Sequence, residues 1–177
     1  MSFQKVCIPR ESLLSQSNYD YSDSFKAEFT DKENTIDIIT ITKTFFSASP
    51  GWIGKLFVLR NKIVSVFGLK TGSKTKSKRE LLNNFKGQIG ERVGIFKVFD
   101  RSDSEIILGE DDSHLNFRVS LLLGPKIDDK KDFTISTTVN FNNWFGKLYF
   151  LPVKPFHRLI VPAMLKSVIK EVKKRTL

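Results

Sequence analysis

Residues 106–123 read IILGEDDSHLNFRVSLLL, and the reading of this stretch decides the fold. Two apolar runs flank a polar turn, the mark of a β-hairpin. After the turn Leu115, Phe117, Val119, Leu121 and Leu123 point one way, and His114, Asn116, Arg118 and Ser120 the other. A sheet sorted this way covers an apolar layer with one face and turns the other to water. A two-residue turn at Asp112-Ser113 predicts Asp111 opposite His114, Gly109 opposite Asn116 and Ile107 opposite Arg118. It also sets Glu110 opposite Leu115 and Leu108 opposite Phe117.

Upstream, Tyr21, Phe25, Ala27 and Phe29 alternate with Ser22, Ser24, Lys26 and Glu28, which predicts a half-buried first strand. Residues 34–46 are rich in β-branched side chains, yet Ile38, Ile41 and Phe45 fall at helical spacing behind a capping Asn34. This favours a helix. Ser49-Pro50 opens a second one, with the stripe Trp52, Leu56, Leu59, Ile63, Val66 and Phe67 ending at Gly68.

Thr71 to Lys78 reads as an exposed polar loop, followed by a short Leu81-Leu82-Phe85 segment and one strand from Arg92 to Asp100. After a charged turn at 128–132, Phe133, Ile135, Thr137, Val139 and Phe141 repeat the hairpin's alternation. From Phe145 to Lys174 the apolar period is helical, with Pro152, Pro155 and Pro162 expected to kink or interrupt it.

The chain has 177 residues, enough for one domain with a proper core. The order of elements predicts an α+β, helix-grip fold. In it a curved antiparallel β-sheet wraps around a long C-terminal helix, with two short helices after the first strand. Residues 1–18 read as an N-terminal arm and 19–177 as a single helix-grip domain. A lone Cys7 excludes an internal disulfide, and no window approaches the run of ~18 apolar residues of a membrane span. Without a signal-peptide pattern, a cytoplasmic protein is expected.

The net charge of +10 admits anionic partners without selecting one. Lys70, Lys74, Lys76, Lys78 and Arg79 crowd one stretch, which offers peripheral contact with an anionic membrane. The loop lacks phosphate-loop spacing and interleaved aromatics, so a solvated loop is the default and nucleic acid is the less expected anionic partner. The basic C-terminus is accounted for by the helix dipole.

Three segments carry a resemblance: FFSASPGWIGKLFVLRNKIVSVFGLKT (45–71), ILGEDDSHLNFRVSLLL (107–123) and GKLYFLPVKPFHRLIVPAML (146–165). Over residues 19–165 the chain resembles an uncharacterised bacterial family. That family also occurs fused to short-chain dehydrogenase/epimerase-like proteins and is grouped with the START-like, polyketide-cyclase-like helix-grip (SRPBCC) superfamily. The resemblance implies a cavity between sheet and last helix for a hydrophobic, lipid-like ligand. For a minority of the superfamily it implies cyclisation or dehydration.

Glu110 is the carboxylate the hairpin register leaves on the apolar face, where it can orient a ligand or move a proton; the plainer reading is a rim carboxylate meeting water. Asp111 and His114 form a cross-strand pair, more simply a surface ion pair contributing about 0.2–1 kcal/mol. His157 and Tyr149 complete the catalytic candidates, each with a structural alternative. Trp52, Leu56, Glu110, Phe117, Val119, Phe141, Tyr149 and Phe156 are the expected ligand-binding set. Two distant histidines and one cysteine give no metal-site spacing, so no metal and no cofactor are expected. The leading expectation is a non-catalytic binding module, monomeric or homodimeric. The alternatives are a cyclase, dehydratase or isomerase using the same cavity, and electrostatic association through the basic loop.

Overall fold

The computed structural model describes residues 3–54, 56 and 78–175. Its strands are β1 (Gln4–Val6), β2 (Tyr21–Thr30), β3 (Arg92–Val93), β4 (Phe96–Arg101), β5 (Glu105–Asp111), β6 (Leu115–Leu123) and β7 (Lys130–Phe141). Its helices are α1 (Ile38–Ser47), α2 (Lys78–Asn84) and α3 (Trp144–Lys173). The first turn of the second predicted helix is present at 51–54. Its continuation to Gly68 and the loop 71–77 lie outside the described residues.

All strands join one antiparallel sheet in the order β1-β2-β7-β6-β5-β4-β3. A bulge between Val98 and Asp100 bends β4 against β5. Beside it, any side chain at Gly109 would lie 2.1 Å from the Phe117 carbonyl oxygen. The curved sheet carries α3 over β2 and β7, and α1 beside it over β6 and β5. Phe29, Ile41, Phe133, Ile135, Leu165, Val168 and Ile169 pack between them in one buried cluster. The predicted α+β architecture with a long C-terminal helix is therefore present.

Several local expectations are corrected. The hairpin turns at Ser113-His114, one residue later than predicted, and pairs Asp111 with Asn116, Glu110 with Phe117 and Leu108 with Val119. The β7–α3 corner imposes this turn. Asn142 N–H donates to the His114 carbonyl at 3.0 Å, and Asn142 Nδ2 and Asn143 Nδ2 donate to the Asp112 and Ser113 carbonyls at 2.7 and 3.0 Å. The pairing moves by two residues, so both faces keep their members. His114, expected on a polar face, is buried beneath α3 instead.

Asp37 rather than Asn34 caps α1, accepting from Thr40 N–H at 2.7 Å. Asn34 sits in the preceding turn with φ +53°. The single strand expected at 92–100 is two strands around a turn at Gly94, whose φ is +62°. Residues 78–84, read as loop and short segment, form α2. The three prolines lie inside one helix that runs unbroken from Trp144 to Lys173.

The face expected to meet water is covered at its centre, where Glu105, Ser120, Ser136 and Thr138 are buried. The reason is the chain before β2. Glu105 accepts from Ser12 Oγ at 2.6 Å, from Leu13 N–H at 2.7 Å and from Ser120 Oγ. One buried carboxylate thus pins residues 12–13 to the back of the sheet while β1 pairs with its edge.

Candidate functional site

Strand β2 turns Tyr21, Asp23, Phe25, Ala27 and Phe29 toward the helices. Asp23 interrupts an otherwise apolar row, and its side chain is 3% exposed. Across the ladder its partner is Thr137, which in turn pairs with Val119. From above, α3 lowers His157, whose Nδ1 stands 3.1 Å from Asp23 Oδ2. The Tyr21 hydroxyl donates to the same oxygen at 2.7 Å. A carboxylate that already accepts from Tyr21 at this oxygen accepts from the ring as well, so Nδ1 is the His157 nitrogen that donates here.

Burial, above all, raises the Tyr21 hydroxyl beyond the ordinary tyrosine range; its bond to Asp23 and that group's charge add to the effect, while Arg158 opposes it. Tyr21 therefore stays a donor at neutral pH. The Lys154 ammonium lies 5.6 Å from the centre of its ring. Asp23 Oδ1 and Thr137 Oγ1 are buried and have no hydrogen-bond partner among the described residues. Each such group costs about 1–3 kcal/mol.

These atoms form a polar seam in the core. On one side lies the main cluster with Phe25, Val119 and Ile135; on the other, Leu115, Val139 and Phe150 pack with Tyr21, Phe141 and Tyr149. Phe117 touches both.

Of the expected ligand residues, Phe117, Val119 and Phe141 share this face of the sheet. Tyr149 sits at the start of α3, its ring edge-on to His114 at 4.8 Å between centroids. Glu110 lies at the far end of the Tyr21–Val139–Phe117–Glu110 row, clamped by both terminal guanidinium nitrogens of Arg92. The catalytic candidates Glu110, His157 and Tyr149 thus have three different sets of partners. Trp52 and Phe156 are exposed, and Leu56 is half-buried.

Asp111 bonds Arg118 at 2.7 Å rather than His114, because the turn displaces His114 from the pairing; His114 Nδ1 is 3.6 Å from Asp112. The Arg118 guanidinium stacks 3.5 Å from the centre of the Phe99 ring. It borders a polar groove of about 670 Å³ between the N-terminal segment and the back of the sheet.

Sequence reading missed Asp23 and Thr137 as a pair. The available signal was an aspartate in period-two register with Tyr21, Phe25, Ala27 and Phe29, the position where an unpaired charge is most costly.

Residues 15–164 match the family described as "Protein of unknown function (DUF2867)". The chain belongs to that family. Tyr21, Asp23, Thr137 and His157 all fall within the stretch that defines DUF2867. No curated protein matches the chain. Among solved structures it is similar to the "Crystal structure of conserved protein from Geobacillus kaustophilus", with a TM-score of 0.41 and 12% identity over 87% of this chain and 96% of that one.

Proposed function

We propose that this DUF2867 protein is a binding module of helix-grip, START-like type. It holds a small molecule with an apolar body and at least one hydrogen-bond donor between sheet and α3. One observation carries the reading: Asp23 Oδ1 and Thr137 Oγ1, adjacent across the ladder, are buried without partners among the described residues. A fold keeps two such costly atoms where a ligand completes them. Phe117 and Val119 supply the apolar wall, and the Tyr21 and His157 protons hold the other carboxylate oxygen in place.

Native mass spectrometry of protein purified from cells tests this. The wild type is expected to carry a bound mass, and Asp23→Asn to lose it while remaining folded. An adduct retained by Asp23→Asn, or none in the wild type, overturns the reading.

A second reading rests on the same dyad. A histidine held through Nδ1 by a buried carboxylate leaves Nε2 ready to take a proton, as in general-base catalysis. In a cyclase, dehydratase or isomerase, His157 would accept the proton and Asp23 would stabilise the imidazolium. Glu110 has no part in it, being bound to Arg92. Turnover that survives His157→Gln would remove this reading.

A further inference from the structure

Among the described residues, nine large apolar side chains are exposed, and five of them lie on the first half of α3. They are Trp144, Leu148, Leu151, Phe156 and Leu159, each 49–74% exposed. Scattered exposure is ordinary, but contiguous exposure marks a contact surface. Trp144, Leu148, Leu151, Pro155 and Leu159 recur at intervals of four, three, four and four, which is a single stripe. Helical geometry sets it opposite Phe150 and His157, which face the sheet.

The charge beside the stripe is one-signed. Lys147, Lys154 and Arg158 line one flank, and Lys166 and Lys170 follow, with no carboxylate anywhere from 144 to 170. A protein partner covering this face would need acid opposite each cation. A sheet of anionic headgroups supplies that charge everywhere, and its acyl boundary takes the apolar row.

We propose that the outer face of α3 docks on an anionic membrane surface, with Trp144, Leu148, Leu151 and Leu159 entering the headgroup–acyl boundary and Lys147, Lys154 and Arg158 meeting the lipid phosphates. Attachment is peripheral, since no helix among the described residues is long and apolar enough to cross a bilayer. None of these residues belongs to the basic stretch at 70–79, and the inference stands whether or not the Asp23 seam holds a ligand.

Flotation of the full chain with vesicles tests it. Vesicles of equimolar phosphatidylcholine and phosphatidylglycerol are expected to carry the protein, and phosphatidylcholine alone to carry little. Salt should release it. Lys147→Glu should weaken binding by about fivefold or more, the scale of one cation lost near the surface. Leu148→Asp/Leu151→Asp should abolish it, with circular dichroism confirming the fold; Leu148→Ser/Leu151→Ser replaces that pair if the first does not fold. Wild-type protein that ignores both vesicles overturns the proposal, as does binding that the leucine variants retain. A solution dimer that these variants dissolve would assign the stripe to a second copy and also overturn it.

Discussion

His157 Nδ1 reaches Asp23 Oδ2 at 3.1 Å, joining the middle of α3 to the second strand through a carboxylate that is nearly sealed from water. The bond fixes the imidazole tautomer. Nitrogen-15 NMR should show His157 protonated at Nδ1 near neutral pH. Asp23→Asn removes the charged acceptor, so the tautomer signal should change and stability should fall by about 1.5–3 kcal/mol, the range for hydrogen bonds to a charged group. An unchanged tautomer in Asp23→Asn would show that the carboxylate does not orient the ring.

Tyr21 offers a second test, on the alkaline side. Burial first, and Asp23 next, raise its hydroxyl above the ordinary tyrosine value of 10.0. A group whose folded value is raised contributes stability that is complete below its unfolded value. That stability is lost as pH rises through the folded value. The loss should therefore begin near pH 10 and grow above it. Ultraviolet titration should show a late phenolate, and Tyr21→Phe should remove it. If the late component survives in Tyr21→Phe, the hydroxyl is not held as described.

Much of the sheet was legible because period-two alternation survives a pairing change of two residues. Leu115, Phe117 and Val119 face inward in either register, so their faces did not depend on finding the turn. The turn itself was decided by Asn142 and Asn143, nearly thirty positions away, which no local pattern contains. The same holds for the covered back of the sheet, where Ser12 and Leu13 meet Glu105. His157 was visible as a candidate. Its partner was not, because a lone aspartate in an apolar row becomes significant only once a helix descends on it.

Gly146 marks where α3 presses on the hairpin. A Cβ there would stand 2.0 Å from the His114 carbonyl oxygen, which is backbone already tied to Asn142 N–H. Gly146→Ala must push the helix start off the turn and should cost about 1–3 kcal/mol. Gly54→Ala has nothing within 4 Å and makes the control, neutral or stabilising by up to about 1 kcal/mol. Denaturant melts showing equal effects would contradict the close approach.

Asp31 and Lys131 form a buried pair at 2.8 Å, and Lys131 Nζ also donates to the Ile36 carbonyl. Burial pushes the Asp31 carboxyl up, but the Lys131 ammonium and the N–H groups of Ile36 and Thr35 together outweigh it and hold it below the ordinary range. A depressed acid contributes stability that is present above its unfolded value of 3.8 and is lost as pH falls through the folded one. Acid unfolding of the wild type should therefore gather below about pH 4. Asp31→Asn leaves Lys131 buried and uncompensated, and should cost about 3–5 kcal/mol at neutral pH. Its stability should also depend less on pH in the acid range. Parallel acid profiles for the two proteins would remove Asp31 from that account.

Thr137 separates a ligand site from a merely structural polar seam. Its hydroxyl is buried, opposite Asp23, and has no hydrogen-bond partner among the described residues. Thr137→Val keeps the β-branched shape and removes the unsatisfied oxygen, and should stabilise the protein by about 1 kcal/mol. A site kept for binding should move the other way: the bound mass seen in native spectra should weaken or vanish in the same variant. A sequence that retains the less stable residue is then retaining it for what it holds. If Thr137→Val is both less stable and unchanged in its bound mass, the hydroxyl serves the fold, and the seam loses one of its two recognition atoms.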